Sequence, residues 1–226
     1  MTGDDLTIVV PLWRRTTNIA RVFVSAWEAT PDAQIMFVVS GGDHDVLDAV
    51  SELVDAEYLL VDGPGGEPGD YARKINAGYR ATDRDWLFTG ADDLLFHDGW
   101  YEAARAHAVI DTGVIGTVDL CNGRTALGEH STHSLVARWY ADFGGCMDQD
   151  HVIYHEGYVH EYCDDELVRT AMMRKAWAWA EDAVVEHRHM LLDRALDDEV
   201  YRHGRRWSRM SRRTFLMRRR LWGDLP

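Results

Sequence analysis

Trp86-Leu87-Phe88-Thr89-Gly90-Ala91-Asp92-Asp93 is the stretch on which the reading of this chain turns. A short apolar run bounded by turn residues is the pattern of a buried strand. This one empties through Gly90-Ala91 into two adjacent carboxylates. Such a pair repels itself, so it favours a nearby cation or hydrogen-bond donors. Hard divalent ions such as Mg²⁺ or Mn²⁺ take oxygen ligands and commonly bridge to a diphosphate. Taken alone, the pair reads first as an acidic turn capping a helix. Its surroundings decide.

Upstream, Leu6-Thr7-Ile8-Val9-Val10 is another β-branched run, stopped by Pro11. A helix follows over 17–29, with Ile19, Val22, Phe23 and Ala26 on one face. A second strand covers 34–39 and closes at Ser40-Gly41-Gly42-Asp43; a helix at 45–54 and a strand at 58–61 complete the next step. The Gly- and Pro-rich loop 62–69 precedes Asp70, which can cap a helix running to Arg80. Strands alternating with helices predict a mostly parallel central sheet flanked by helices, with ligands beyond the carboxyl ends of the strands. Trp13-Arg14-Arg15, Gly41 to Asp45, and Asp92-Asp93 all fall there. Downstream, the expectations are a strand over 113–120, helices over 134–143 and 164–180, and a strand over 183–187.

Composition narrows the classes. The 226 residues suit one domain with a small appendage, and 46% hydrophobic content is enough for a core. No apolar run is long enough to span a bilayer, and the acidic N-terminus lacks a secretory pattern, so a cytoplasmic location is expected. Cys121, Cys146 and Cys163 show no paired ligand spacing. The net charge of −14 is uneven: residues 202–226 hold nine arginines against one acid, leaving 15 basic against 37 acidic residues before them. A boundary near Tyr201 therefore separates residues 1–200 from a basic tail, 201–226. That tail reads as a nucleic-acid stripe, a membrane-surface helix, or a segment docked on the acidic body.

Asp70-Tyr71-Ala72-Arg73-Lys74-Ile75-Asn76-Ala77-Gly78-Tyr79, followed by the strand ending in Asp92-Asp93, resembles the core of family-2 glycosyltransferases of the GT-A fold. Ile8-Val9-Val10-Pro11-Leu12-Trp13-Arg14-Arg15 is similar to that family's opening strand. The resemblance implies a Rossmann-like, nucleotide-diphospho-sugar transferase fold, with a nucleotide-sugar-binding half (1–105) and an acceptor and catalytic half (106–200). It implies Mn²⁺ or Mg²⁺ as cofactor, Asp93 as metal ligand, and Asp92 holding ribose or assisting the metal. Pro11, Trp13, Arg14, Asp43, Lys74 and Asn76 would face a nucleotide-sugar donor, a UDP-sugar by resemblance. Ser40-Gly41-Gly42-Asp43 departs from the family's paired aspartates, which leaves Asp43 as their substitute.

Cys163-Asp164-Asp165-Glu166-Leu167 resembles the family's Glu-Asp motif, which supplies the carboxylate that deprotonates the acceptor. Asp164 and Asp165 are both candidates, although acids at a helix start are favoured by the helix dipole in any case. Glu186-His187-Arg188-His189 offers the late histidine ligand: His187 first and His189 second. The polar, aromatic stretch 128–162 includes His130, and within that stretch His133, Arg138, Tyr158 and Tyr162 read as acceptor-facing. The expected reaction is metal-dependent, inverting glycosyl transfer to a hydroxyl. Resemblance to small bacteriophage and bacterial members implies a modified base of phage DNA or a virion protein as acceptor, in host cytoplasm if the chain is phage-encoded; bacterial polysaccharide or small-molecule acceptors stay open. A sugar nucleotidyltransferase is the alternative enzyme, but Pro11-Leu12-Trp13-Arg14-Arg15-Thr16 lacks its glycine-rich loop. A non-catalytic nucleotide-sugar-binding module is the other alternative.

Overall fold

The computed structural model describes residues 3–121, 123–189 and 197–222. Each apolar run of the first half becomes a strand: β1 (Leu6–Pro11), β2 (Gln34–Ser40), β3 (Glu57–Val61) and β4 (Trp86–Thr89). Between them lie α1 (Thr16–Ala29), α2 (His44–Ser51) and α3 (Asp70–Ala81). The remainder comprises β5 (Leu94–Phe96), α4 (Trp100–Arg105), β6 (Val114–Val118), α5 (Gly123–Ala126), β7 (Ser134–Ala137), α6 (Arg138–Phe143), α7 (Cys163–Met173), β8 (Trp177–His187) and α8 (Glu199–Arg218). The strands form one sheet in the order β3-β2-β1-β4-β7-β6-β8-β5. Strands β3, β2, β1 and β4 run parallel, β7 is antiparallel to both neighbours, β8 is parallel to β6, and β5 is antiparallel to β8. The predicted α/β class with a mostly parallel sheet is therefore the one observed. Among the described residues no helix is long and apolar enough to cross a membrane.

Two element assignments change. Ser134-Leu135-Val136-Ala137 is a strand, and the helix expected over 134–143 is confined to Arg138–Phe143. All four strand residues are buried between β4 and β6, and a short apolar run of that kind carries no period that separates strand from helix. The helix expected over 164–180 stops at Met173. Lys175 adopts φ +59, which turns the chain, and Trp177-Ala178-Trp179 then pairs with Val114-Ile115-Gly116 of β6 at the start of the Trp177-Ala178-Trp179-Ala180 segment. Its alternation of large and small residues is a two-residue period, a strand signal inside an apparent helix.

Helix α3 shows why Asn-x-Gly suits this place. Asn76 is fully buried; its amide accepts from the backbone N–H of Ile153 and Tyr154 and donates to the Tyr154 carbonyl. A Cβ at Gly78 would fall inside the side chain of Val9, so only glycine lets α3 lie this close to β1. Gly78→Ala is expected to cost about 1–3 kcal/mol by overpacking, read as a lower midpoint in urea at unchanged slope.

Helix α8 occupies most of the segment read as a basic tail; residues 223–226 lie outside those described. Asp198 caps it by accepting from Tyr201 N–H, and Ser211 accepts from His160 N–H. Phe215 packs between Tyr162 and Trp222, with ring centroids 5.3 and 5.2 Å away. Arg218 grips Glu166 through two hydrogen bonds of 2.7 Å and Asp148 through bonds of 2.6 and 3.1 Å. Of the three readings of this segment, docking on the acidic body is the one visible in these contacts. Glu166 is 1% exposed and also accepts from the Tyr158 hydroxyl at 2.7 Å. Arg218→Met would leave that carboxylate buried without its cation, at an expected cost of about 3 kcal/mol in chemical denaturation.

Candidate active site

A cleft of about 960 Å³ opens at the carboxyl ends of β1 and β4, walled by α3, the start of α7, the end of β8 and the first turns of α8. Its acidic floor follows β4, where Gly90 N–H donates to the Val9 carbonyl and turns the chain towards Asp92 and Asp93. Both are buried, at 8% and 4% exposed. Asp93 Oδ1 lies 3.3 Å from His187 Nε2, while Asp93 Oδ2 accepts from the Tyr201 hydroxyl at 2.7 Å. The Arg15 guanidinium reaches both carboxylates, at 3.2 Å each. Burial, then the charge of Asp93, pushes Asp92 up to about 7. Burial also opposes ionisation of Asp93, but His187 and Arg15 outweigh it and hold this carboxyl well below the usual range. For His187 burial disfavours the charge, yet Asp93 lifts its pKa to about 10.

His133 adjoins this centre, its ring centroid 5.1 Å from that of His187. Burial, then the charge of His187, lowers its pKa to about 4, so the ring is neutral. Its Nδ1 lies 2.6 Å from the Thr89 carbonyl, which fixes the proton there and leaves Nε2 as a buried lone pair without a hydrogen-bond partner among the described residues. Backbone bonding of one ring nitrogen is the usual way to orient the other towards a metal.

A second polar group forms the facing wall. Tyr162 takes φ +73 and turns the chain into α7, which starts Cys163-Asp164-Asp165. Asp164 Oδ2 lies 3.2 Å from His130 Nε2, and Asp165 Oδ1 accepts from Arg124 at 2.9 Å. His130 is 2% exposed, and its Nδ1 has no hydrogen-bond partner among the described residues. Burial works against both charges of the His130–Asp164 pair, but each group outweighs it for the other: the His130 pKa is raised and that of Asp164 lowered. Asp165 moves upward through burial and then the charge of Asp164.

At the other end, Trp13 lies against Gly65 and Gly66; a Cβ at either glycine would meet the indole ring. Gly66 also has φ +78, so both its conformation and its contact require glycine. His203 of α8 meets the Trp13 ring at 4.8 Å and bonds the Gly66 carbonyl at 2.6 Å.

No family model matches the chain, and no curated protein matches it. Solved structures do. Glucosyl-3-phosphoglycerate synthase from Mycobacterium tuberculosis, in complex with Mn²⁺, UDP-glucose and phosphoglyceric acid, aligns at TM-score 0.63 and 14% identity, covering 98% of this chain and 80% of that one. A mannosyltransferase from Pyrobaculum calidifontis, in complex with GDP-Man and Mn²⁺, aligns at TM-score 0.59 and 13% identity, covering 98% and 76%. The synthase with Mg²⁺ and UDP gives TM-score 0.59 at 12% identity, covering 94% and 78%. The chain has the GT-A fold.

Within that GT-A frame, Pro11, Trp13, Lys74, Asp92, Asp93, His133, Tyr162, Asp164, Asp165, His187 and His189 all line the cleft. Lys74 does so as a tether, since its buried ammonium donates to Asp70 and to the Leu12 carbonyl. His189 packs its ring on His187 and Tyr201, at 5.0 and 4.7 Å. Arg14, Asp43, Asn76, Arg138 and Tyr158 are not part of the lining. Arg14 takes φ +63, turns outward to Glu199, and donates its backbone N–H to Asp43. Asn76 is the interior clamp described above, and Tyr158 is buried on Glu166. Arg138 donates to the Arg84 and Thr82 carbonyls beyond the C-terminal end of α3. Sequence reasoning placed Arg15 in the Trp13-Arg14-Arg15 cluster but chose Arg14 as the donor contact, and it passed over Arg124, Asp198 and Tyr201 as site residues. The adjacency of Arg14 and Arg15 was the available signal: the left-handed turn at Arg14 sends one side chain outward to Glu199 and the other inward to Asp92, Asp93 and Asp198.

Proposed function

We propose that this chain transfers a glycosyl group from a nucleoside-diphosphate sugar to a hydroxyl acceptor, assisted by Mn²⁺ or Mg²⁺. One observation carries the reading: an Asp–His pair and a His–Asp pair line the same cleft, at the strand ends where α/β sheets bind ligands. The structural neighbours in complex with Mn²⁺ and UDP-glucose or GDP-Man support the donor class. The donor set fits the ion. Two ligands at right angles on an ion with bonds near 2.1 Å lie about 3 Å apart, and Asp93 Oδ1 and His187 Nε2 are separated by 3.3 Å. Nε2 of His133, unpartnered among the described residues, supplies a further nitrogen beside them. Among the described residues, Asp92 and His189 do not complete a tight three-donor cluster with Asp93 and His187; the clusters of that kind are Asp119–Cys121–His187 and His130–Asp164–Asp165.

When bound, the ion would neutralise charge on the departing diphosphate. Asp93 and His187 would hold it, with Asp92 beside them. Asp164, kept ionised by His130, would take the acceptor's proton as the acceptor oxygen bonds to the anomeric carbon. The bond from that carbon to the diphosphate breaks, and the nucleoside diphosphate leaves on the opposite face, inverting the configuration. We further read the chain as family-2-like, cytoplasmic and UDP-sugar-using. A modified DNA base or virion protein as acceptor rests on the quoted motifs alone.

Thermal denaturation with UDP, GDP and other nucleoside diphosphates, with and without Mn²⁺, tests the reading. A ligand at 100 times its Kd adds about 2.7 kcal/mol. Stabilisation by one nucleotide, dependent on Mn²⁺, is the expected result. No stabilisation by any of them would overturn the glycosyl-transfer reading and the nucleotide-sugar-binding module together.

A further inference from the structure

Arg15 is the buried cation at the acidic floor that the proposed chemistry does not use. The left-handed turn at Arg14 sends Arg15 inward, and its side chain is 9% exposed. One nitrogen, Nη1, bridges Asp92 Oδ1 and Asp93 Oδ2 at 3.2 Å each. The opposite edge, Nε and Nη2, forms a two-pronged bond to Asp198 at 2.6 and 3.0 Å. The guanidinium carbon lies 4.0 Å from the ring centre of Tyr201, whose hydroxyl holds Asp93. Arg15 is thus fixed along one edge by the cap of α8 while its other edge bridges the two carboxylates.

A divalent ion drawn to Asp92 and Asp93 and a guanidinium bridging the same oxygens are alternative partners, because their like charges repel at such short range. Asp198 supplies a pivot: its two bonds can persist while Nη1 changes partner. A planar guanidinium beside a metal-bound diphosphate matches phosphate oxygens in pairs, which an ammonium does not. We propose that Arg15 is a donor-binding residue that exchanges partners, bridging Asp92 and Asp93 until the divalent ion takes them and then binding the donor's diphosphate. The proposal rests on the glycosyl-transfer reading. It makes α8 part of the donor site through Asp198.

The test compares wild type, Arg15→Gln and Arg15→Lys in the full chain, each checked for folding by circular dichroism. Mn²⁺ affinity without nucleotide is measured by electron paramagnetic resonance. UDP, GDP and uridine affinities at saturating Mn²⁺ are measured by calorimetry. Arg15→Gln removes the competing charge, so Mn²⁺ binding should tighten about tenfold. Loss of the charged hydrogen bonds should weaken diphosphate binding about 10- to 100-fold and leave uridine unchanged. Arg15→Lys keeps the charge without the fork: Mn²⁺ affinity should stay near wild type while diphosphate binding weakens. It also carries the test if the glutamine variant does not fold. Unchanged or weaker Mn²⁺ binding in Arg15→Gln would overturn the exchange, and diphosphate binding at wild-type strength in both variants would remove Arg15 from the donor site. If wild type binds Mn²⁺ and a diphosphate, either failure leaves the glycosyl-transfer reading standing. If wild type binds neither, that reading and this inference fall together.

Discussion

Asp93→Asn is expected to fold, to lose Mn²⁺-dependent nucleotide binding, and to turn over donor about 10³-fold more slowly. The magnitude follows from several kcal/mol of charge stabilisation at the leaving group, with each 1.36 kcal/mol worth a factor of ten. Folding should survive for a local reason. Asparagine is isosteric, keeps an oxygen to accept from Tyr201, and relieves the repulsion between two carboxylates only 8% and 4% exposed. The substitution does leave His187 without its charge partner at 3.3 Å, so a modest loss of stability accompanies it. The informative readout is therefore the difference in thermal midpoint with and without Mn²⁺ at fixed UDP or GDP, alongside the rate of donor consumption. Mn²⁺-dependent stabilisation and turnover at wild-type levels in this variant would show that the ion, if used, sits elsewhere. The Asp119–Cys121–His187 cluster would then be the first place to look.

The sequence carried the half of the molecule where one strand alternates with one helix. Leu6–Pro11, Gln34–Ser40 and Trp86–Thr89 are mostly apolar runs ending in turn residues, and each is a strand of the parallel region. The carboxylate pair was legible because a strand end is where acids gain function. The second half resisted for stated reasons. Ser134–Ala137 is too short and too buried to show a period, and Trp177–Ala180 hides a two-residue alternation beside a true helix. Side-chain roles were harder still. Asn76 and Arg138 bond backbone far away in sequence, 77 residues in the case of Ile153, and no local pattern encodes that. Arg15 and Tyr201 meet over Asp93 through the return of α8, a tertiary event that the count of arginines in the tail could only suggest as charge attraction.

The second large effect separates the two aspartates that the sequence left together. Asp164→Asn should lower the rate of glycosyl transfer about 10²- to 10⁴-fold, the range for a positioned general base, with nucleotide and Mn²⁺ affinities within a few-fold of wild type. Asp165→Asn should cost about tenfold or less. The distinction comes from their partners. Asp165 faces Arg124 at 2.9 Å, and its carboxyl is pushed upward, first by burial and then by the charge of Asp164. Asp164 lies 3.2 Å from His130, and its carboxyl is held down although burial opposes the charge. A base must be ionised when the acceptor arrives, which favours Asp164; Asp165 and Arg124 then hold the first turn of α7 in place. The comparison needs the anomeric configuration of the product as well as rates, because a base on the acceptor side implies inversion. If Asp165→Asn proves the more damaging, the roles exchange and His130 orients the wrong carboxylate. If neither substitution slows transfer beyond a few-fold, or the product retains the donor's configuration, no carboxylate of α7 is the base. The acidic start of that helix would then be explained by its dipole and by its contacts with His130 and Arg124.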